Sequence, residues 1–165
     1  MRAVLVFGLF MMAALCLADK PFPDNPKNHW VYATMRAIAK DKLWYRQADG
    51  VPKRKVLTRL DLATKTMYLA FDSNSLVGSF RSLISISTKK PYDVQSKKWA
   101  ANFRKSFPKK KALYQTHMKR VIKLWNFFRP EMAAVGKALH VDPKAAGQRL
   151  LAEQKELNGL SLSHT

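Results

Sequence analysis

The stretch 109–128 constrains the fold more than any other part of this chain. Tyr114, Met118, Val121, Ile122, Trp125 and Phe128 return to one side at 100° per residue, and Lys119, Arg120 and Lys123 fall nearly opposite. A helix sorts apolar from basic side chains in this order; a period of two does not. Such a helix has to bury its apolar side, and a second helix is the simplest partner. Upstream, Trp99, Phe103 and Phe107 stand at i, i+4 and i+8, flanked by Lys97, Lys98, Arg104 and Lys105. That spacing predicts a helix over 92–107, ended by Pro108 or followed by a new helix from it. Rings beside cations suggest base stacking, but helical spacing favours core packing. An all-α chain is expected.

The remaining punctuation gives the other elements. Asn28 is a candidate N-cap for a helix over 29–42, with Trp30, Ala33, Ala37 and Ile38 as its buried stripe. Asp49-Gly50 and Pro52 mark a loop. Thr58 opens the next helix: its hydroxyl can accept from the Asp61 N–H and Asp61 can answer, a capping box with Asp for Glu. Leu62, Ala63, Thr66, Met67, Leu69 and Ala70 supply its apolar side. Residues 72–75 read as a turn, and 76–87 as a helix that frays near Ser87. Pro130 can open a short helix to about His140. Asp142-Pro143 is an N-cap followed by an N1 proline, and the last helix carries Leu150, Leu151 and Leu157 before Asn158-Gly159.

Residues 1–18 read as a secretory signal peptide. Arg2 is the positive start, 4–17 an apolar run broken only by Gly8, and Cys16-Leu17-Ala18 a small-residue cleavage site. The run is short for a membrane span. The single cysteine lies in it, which excludes a disulfide framework from the mature chain and thiol catalysis with it. Beyond it, 147 residues hold 29 Lys+Arg against 11 Asp+Glu, a formal +18. The excess is uneven: +5 over 19–72 and +13 over 73–165, with 13 cations against one acid, Asp93, over 89–129. Such a field repels itself unless it meets an anion. Anionic wall polymer, lipopolysaccharide, an acidic lipid surface and nucleic acid all fit; export argues against nucleic acid as the ordinary partner. Lys109-Lys110-Lys111 with Lys119, Arg120 and Lys123 are the candidate polyanion contacts. No transmembrane span is expected in the mature chain.

Enzyme signals are poor. The histidines at 29, 117, 140 and 165 have no metal-ligand spacing, and Glu131, Glu153 and Glu156 are the only glutamates. No Gly-rich phosphate loop or nucleophile elbow is present. The chain reads as non-catalytic, with no cofactor and no metal.

An ordered set of short signatures runs through the first third: Phe22-Pro23-Asp24, then His29-Trp30-Val31-Tyr32, then Asp49-Gly50, then Thr58-Arg59-Leu60-Asp61. In this order and spacing the segment resembles one copy of the S-layer homology (SLH) domain. The resemblance covers about fifty residues and implies a helix–loop–helix module over 19–72, followed by a basic region of about four helices over 73–165. It lacks the glycine usual a few residues after the first helix, where 44–47 reads Trp44-Tyr45-Arg46-Gln47. The family binds wall polysaccharide, often pyruvylated, or peptidoglycan-linked polymer. Carried over, Arg59 is the ligand contact with Thr58 beside it, Asp24 and Gly50 shape the pocket, and Trp44 or Trp30 stacks on a sugar. Phe22, His29, Trp30, Tyr32 and Asp61 complete the structural signature. Two roles stay open for Arg59, ligand contact or partner of an acidic neighbour, and for Trp30, platform or core. Family units commonly act in threes, so a single copy implies a possible homo-oligomer. The resemblance implies non-catalytic attachment to the bacterial envelope. The alternative is a cationic secreted effector acting on membranes or nucleic acid, for which the helix 114–128 has to be free of its neighbours.

Overall fold

A computed structural model of the chain describes residues 22, 29–41, 43, 57–88 and 93–162. The signal peptide, Asn28, Asp24, Trp44 and Gly50 lie outside them. Among the described residues there are helices and no strand: α1 (Trp30–Asp41), α2 (Arg59–Thr88), α3 (Val94–Phe127), a 3-10 turn (Arg129–Glu131), α4 (Met132–Leu139) and α5 (Pro143–Gly159).

The long helix α2 is the centre of the bundle. Leu62, Met67, Leu69, Ala70, Val77 and Phe80 are all buried, on more than one flank, because α3, α4 and α5 pack around it. The backbone of α1 runs beside α3 and stays clear of α2. Arg120 of α3 and Asp41 of α1 close that contact with a 2.7 Å ion pair.

Two expected breaks are absent. Residues 72–75 continue α2 as helix. There Ser73 does not cap a turn; its hydroxyl donates to the Leu69 carbonyl at 2.8 Å, and buried Leu76 and Val77 extend the apolar face. The division between 72 and 73 therefore falls inside a helix. Pro108 also lies within one helix, although an interior proline removes a hydrogen bond and costs about 3 kcal/mol. Phe80 supplies the compensation. Its ring meets Phe103 at 6.1 Å and Phe107 at 5.3 Å on one side of the proline, and Tyr114 at 4.8 Å on the other. Three contacts to one ring hold both halves of α3 in line.

The stripe of α1 is also shifted. Val31, Tyr32, Met35 and Ile38 are buried, while Trp30 is half-buried and Ala33 exposed. The i, i+4, i+7 set Val31, Met35 and Ile38 faces the core, so the larger Trp30 stands at its edge.

The last corner follows the sequence closely. Asp142 Oδ1 accepts from the Lys144 N–H at 3.0 Å and Pro143 opens α5. His140 ends α4 in the left-handed conformation, φ 56°, and both its N–H and that of Val141 close on the Gly136 carbonyl. A Cβ at Gly136 would stand 2.5 Å from the Val141 oxygen and 2.9 Å from Pro143 Cδ. Backbone and ring are both fixed there. Gly136→Ala is expected to cost about 1–3 kcal/mol, a melting temperature lower by several degrees, with helix content retained. A thermal melt equal to wild type would show that the corner yields freely.

Candidate functional site

Among the described residues, Phe22, His29, Thr58 and Asp61 of the signature set lie around one side chain, Arg59. Phe22 is pinned at both backbone groups: its N–H donates to the Leu57 carbonyl at 2.7 Å, and the Tyr32 hydroxyl donates to its carbonyl. Burial raises the Tyr32 pKa above its usual 10, which keeps the phenol a donor. The Phe22 ring meets His29 at 5.0 Å and both Phe127 and Phe128 at 5.9 Å. His29 stands at the N-cap of α1, where its Nδ1 accepts from the Val31 N–H at 3.2 Å. Thr58 and Asp61 form the expected capping box. The Asp61 N–H donates to Thr58 Oγ1 at 3.1 Å, and the Thr58 N–H to Asp61 Oδ2 at 3.0 Å.

That cap starts α2 with Arg59 aimed at the far end of α3. The Arg59 guanidinium lies 4.7 Å from the Phe127 ring centre and 5.4 Å from those of Phe22 and Phe128. Its Nε and Nη2 donate to the carboxylate of Glu131, whose side chain is only 5% exposed, and Nη2 also reaches the Phe127 carbonyl at 3.4 Å. Arg59 thus has the acidic partner that the second of its two open roles requires. Sequence reasoning passed over Glu131. Its one signal was isolation, as a lone acid beside Pro130 in a strongly basic stretch.

The exposed edge of this node carries different chemistry. Trp30 packs edge-on against Phe127 at 5.1 Å, and Lys123 Nζ lies 4.5 Å over the Trp30 ring. Lys123 thus covers an indole face and His29 lies nearly parallel to the ring at 6.1 Å, so what the edge offers an acid-bearing sugar is an exposed ammonium beside a half-buried indole. Asp24, Gly50 and Trp44, the other expected ligand residues, lie outside the described residues.

The six candidate polyanion contacts divide. Lys109, Lys110, Lys119 and Lys123 are exposed. Arg120 is half-buried in its pair with Asp41. Lys111 donates to the carbonyls of Asn158 and Leu160, at 3.0 and 2.8 Å, and so closes the C-terminal end of α5. Both are spent on the fold, which a count of charges along the chain does not reveal. Phe103 and Phe107 are core residues, and Trp99 stacks outside them on Phe103 at 5.9 Å. The membrane-lying mode of 114–128 loses its premise, because Met118, Val121, Leu124, Trp125 and Phe128 are buried among neighbouring helices.

One buried polar pair was also missed. His117 of α3 is fully buried, with Nε2 3.2 Å from Ser73 Oγ. Since that hydroxyl already donates to Leu69, it accepts from Nε2–H. Burial takes the His117 pKa from 6.5 down to about 4, against the Asp41 charge, which raises it, and with a smaller lowering from Arg120. It therefore stays neutral at ordinary pH. No group of three His, Cys, Asp or Glu placed to hold a metal occurs among the described residues, and no helix there is long and apolar enough to cross a membrane. Set beside known family models, curated proteins and solved structures, the chain matches none of them.

Proposed function

We propose that this chain is an exported, non-catalytic envelope protein that binds an anionic wall glycan or peptidoglycan-associated polymer through its SLH-like residues. The observation that supports this reading is the Trp30–Lys123 pair on the open edge of the node. The exposed ammonium, held over the indole, meets a carboxylate such as a pyruvyl group, and the sugar ring packs beside the half-buried Trp30. Arg59 and Glu131 set the node beneath it, and the Thr58–Asp61 cap fixes where α2 begins. Lys109, Lys110 and Lys119 add attraction that salt screens.

The test is a pull-down on purified native sacculi with the full chain. Lys123→Ala removes an exposed cation and leaves the core intact. It is expected to weaken binding about tenfold, the effect of one charge-assisted contact, with an unchanged melting curve. The part of binding carried by the shallow cations is expected to disappear by half-molar salt, and the part carried by Trp30 to persist. Sacculi bound equally well by wild type and Lys123→Ala, at both low and half-molar salt, would reject the site.

A further inference from the structure

We infer that the cleft between the end of α3 and the first half of α5 binds a single-chain amphiphile with an anionic head, an alkyl carboxylate or alkyl phosphate. The cleft shares no residue with the Arg59 node and does not rest on the envelope reading. It measures about 410 Å³, and Ile122, Trp125, Met132 and Leu150 give it an apolar floor. Gly147 shapes it. A Cβ there would stand 3.0 Å from Trp125 Nε1, close enough that the indole would have to shift slightly to admit it.

Charge sits on the rim. Arg129 and Lys144 both line the cleft, and no Asp or Glu lines it. Arg129 is held in place by donating from Nη2 to Asn126 Oδ1 at 2.7 Å. Lys144 stands in the first turn of the 17-residue α5, where the helix dipole adds to its charge. Asp142 and Glu131, each two residues from one of these cations, do not line the cleft; Asp142 accepts from the Lys144 N–H and Glu131 pairs with Arg59.

Size and shape decide between ligand classes. A volume near the lower end of the roughly 300–1,000 Å³ usual for small-molecule sites suits one acyl chain better than a two-chain lipid. Leu151 lies on the rim, 55% exposed, where a bound chain would cover it. An apolar trough ending in two cations matches an apolar tail with an acid at its tip.

The experiment titrates the full chain with laurate, dodecyl phosphate, methyl laurate and inorganic phosphate, by calorimetry, and with 11-bromoundecanoate, by quenching of tryptophan fluorescence. Laurate or dodecyl phosphate is expected to bind at least about tenfold more tightly than the uncharged ester, and inorganic phosphate not measurably. The stronger of the two heads identifies the source. Arg129→Ala with Lys144→Ala is expected to reduce laurate binding about tenfold, and Leu151→Asp to abolish quenching; both changes lie on the surface. Lys123→Ala is expected to leave laurate binding unchanged, which separates this site from the glycan site. Equal binding of laurate and its methyl ester, or full quenching in both variants, would overturn the proposal. So would a dimer of the ligand-free chain that Leu151→Asp dissociates, since the cleft would then belong to a second copy.

Discussion

Arg59→Ala is expected to destabilise the protein by about 2–4 kcal/mol. The side chain lost is the partner of a Glu131 carboxylate that is 5% exposed, and an acid left buried alone costs far more than the pair is worth. The upper figure is lowered because Arg59 itself keeps 22% of its side-chain surface in water. Three ring contacts disappear with it. The measurement is a urea titration followed by circular dichroism. Arg59→Met combined with Glu131→Leu removes both charges and is expected to recover most of the loss, as apolar replacements of buried pairs commonly do. If Arg59→Ala unfolds at the wild-type urea concentration, the ion pair is not what holds α2 to the corner after α3. The result also governs how a binding assay is interpreted. Weak sacculus binding by an Arg59 variant reports on a ligand contact only under conditions where the variant is folded.

Acid should weaken the fold before the carboxylates titrate. His117 has a pKa of about 4 in the native state against 6.5 when exposed. Between those values the unfolded chain holds a proton that the folded chain refuses. Stability is therefore whole above pH 6.5, falls as pH drops through the window, and has lost its full share once pH passes below about 4. The span corresponds to about 3 kcal/mol, at no more than about 1.4 kcal/mol per pH unit. Urea midpoints from pH 7.5 to pH 4 test this. His117→Gln keeps a polar group near Ser73 Oγ and has no proton to gain, so its profile should stay flat over the same window until carboxylates begin to titrate. A wild-type profile flat from pH 7 to pH 5 would mean that His117 opens to water on protonation at little cost.

Local rules made the caps readable. Thr58 with Asp61, and Asp142 before Pro143, need only a few neighbouring residues to be satisfied, and both stand where the sequence placed them. The helical sorting of 114–128 was equally local. What the sequence hid was set by distant partners. Nothing near Pro108 announces that Phe80 will brace both sides of it. Nothing near Ser73 announces a histidine 44 residues away. Of the expected stripe of α1 only Ile38 is buried; the buried face runs through Val31, Tyr32, Met35 and Ile38, with Trp30 at its edge. At the candidate site the described signature residues lie together, but the acidic partner of Arg59 is Glu131, 72 positions along the chain.

The unbroken run of α2 through residue 72 has an evolutionary corollary. A segment can be moved between proteins only where there is a joint that can be cut. Here a cut at the end of the SLH-like segment would sever a helix and strand α1, whose packing partner lies on the other side. Among the described residues, α1 and the start of α2 could be moved only together with the basic helices behind them.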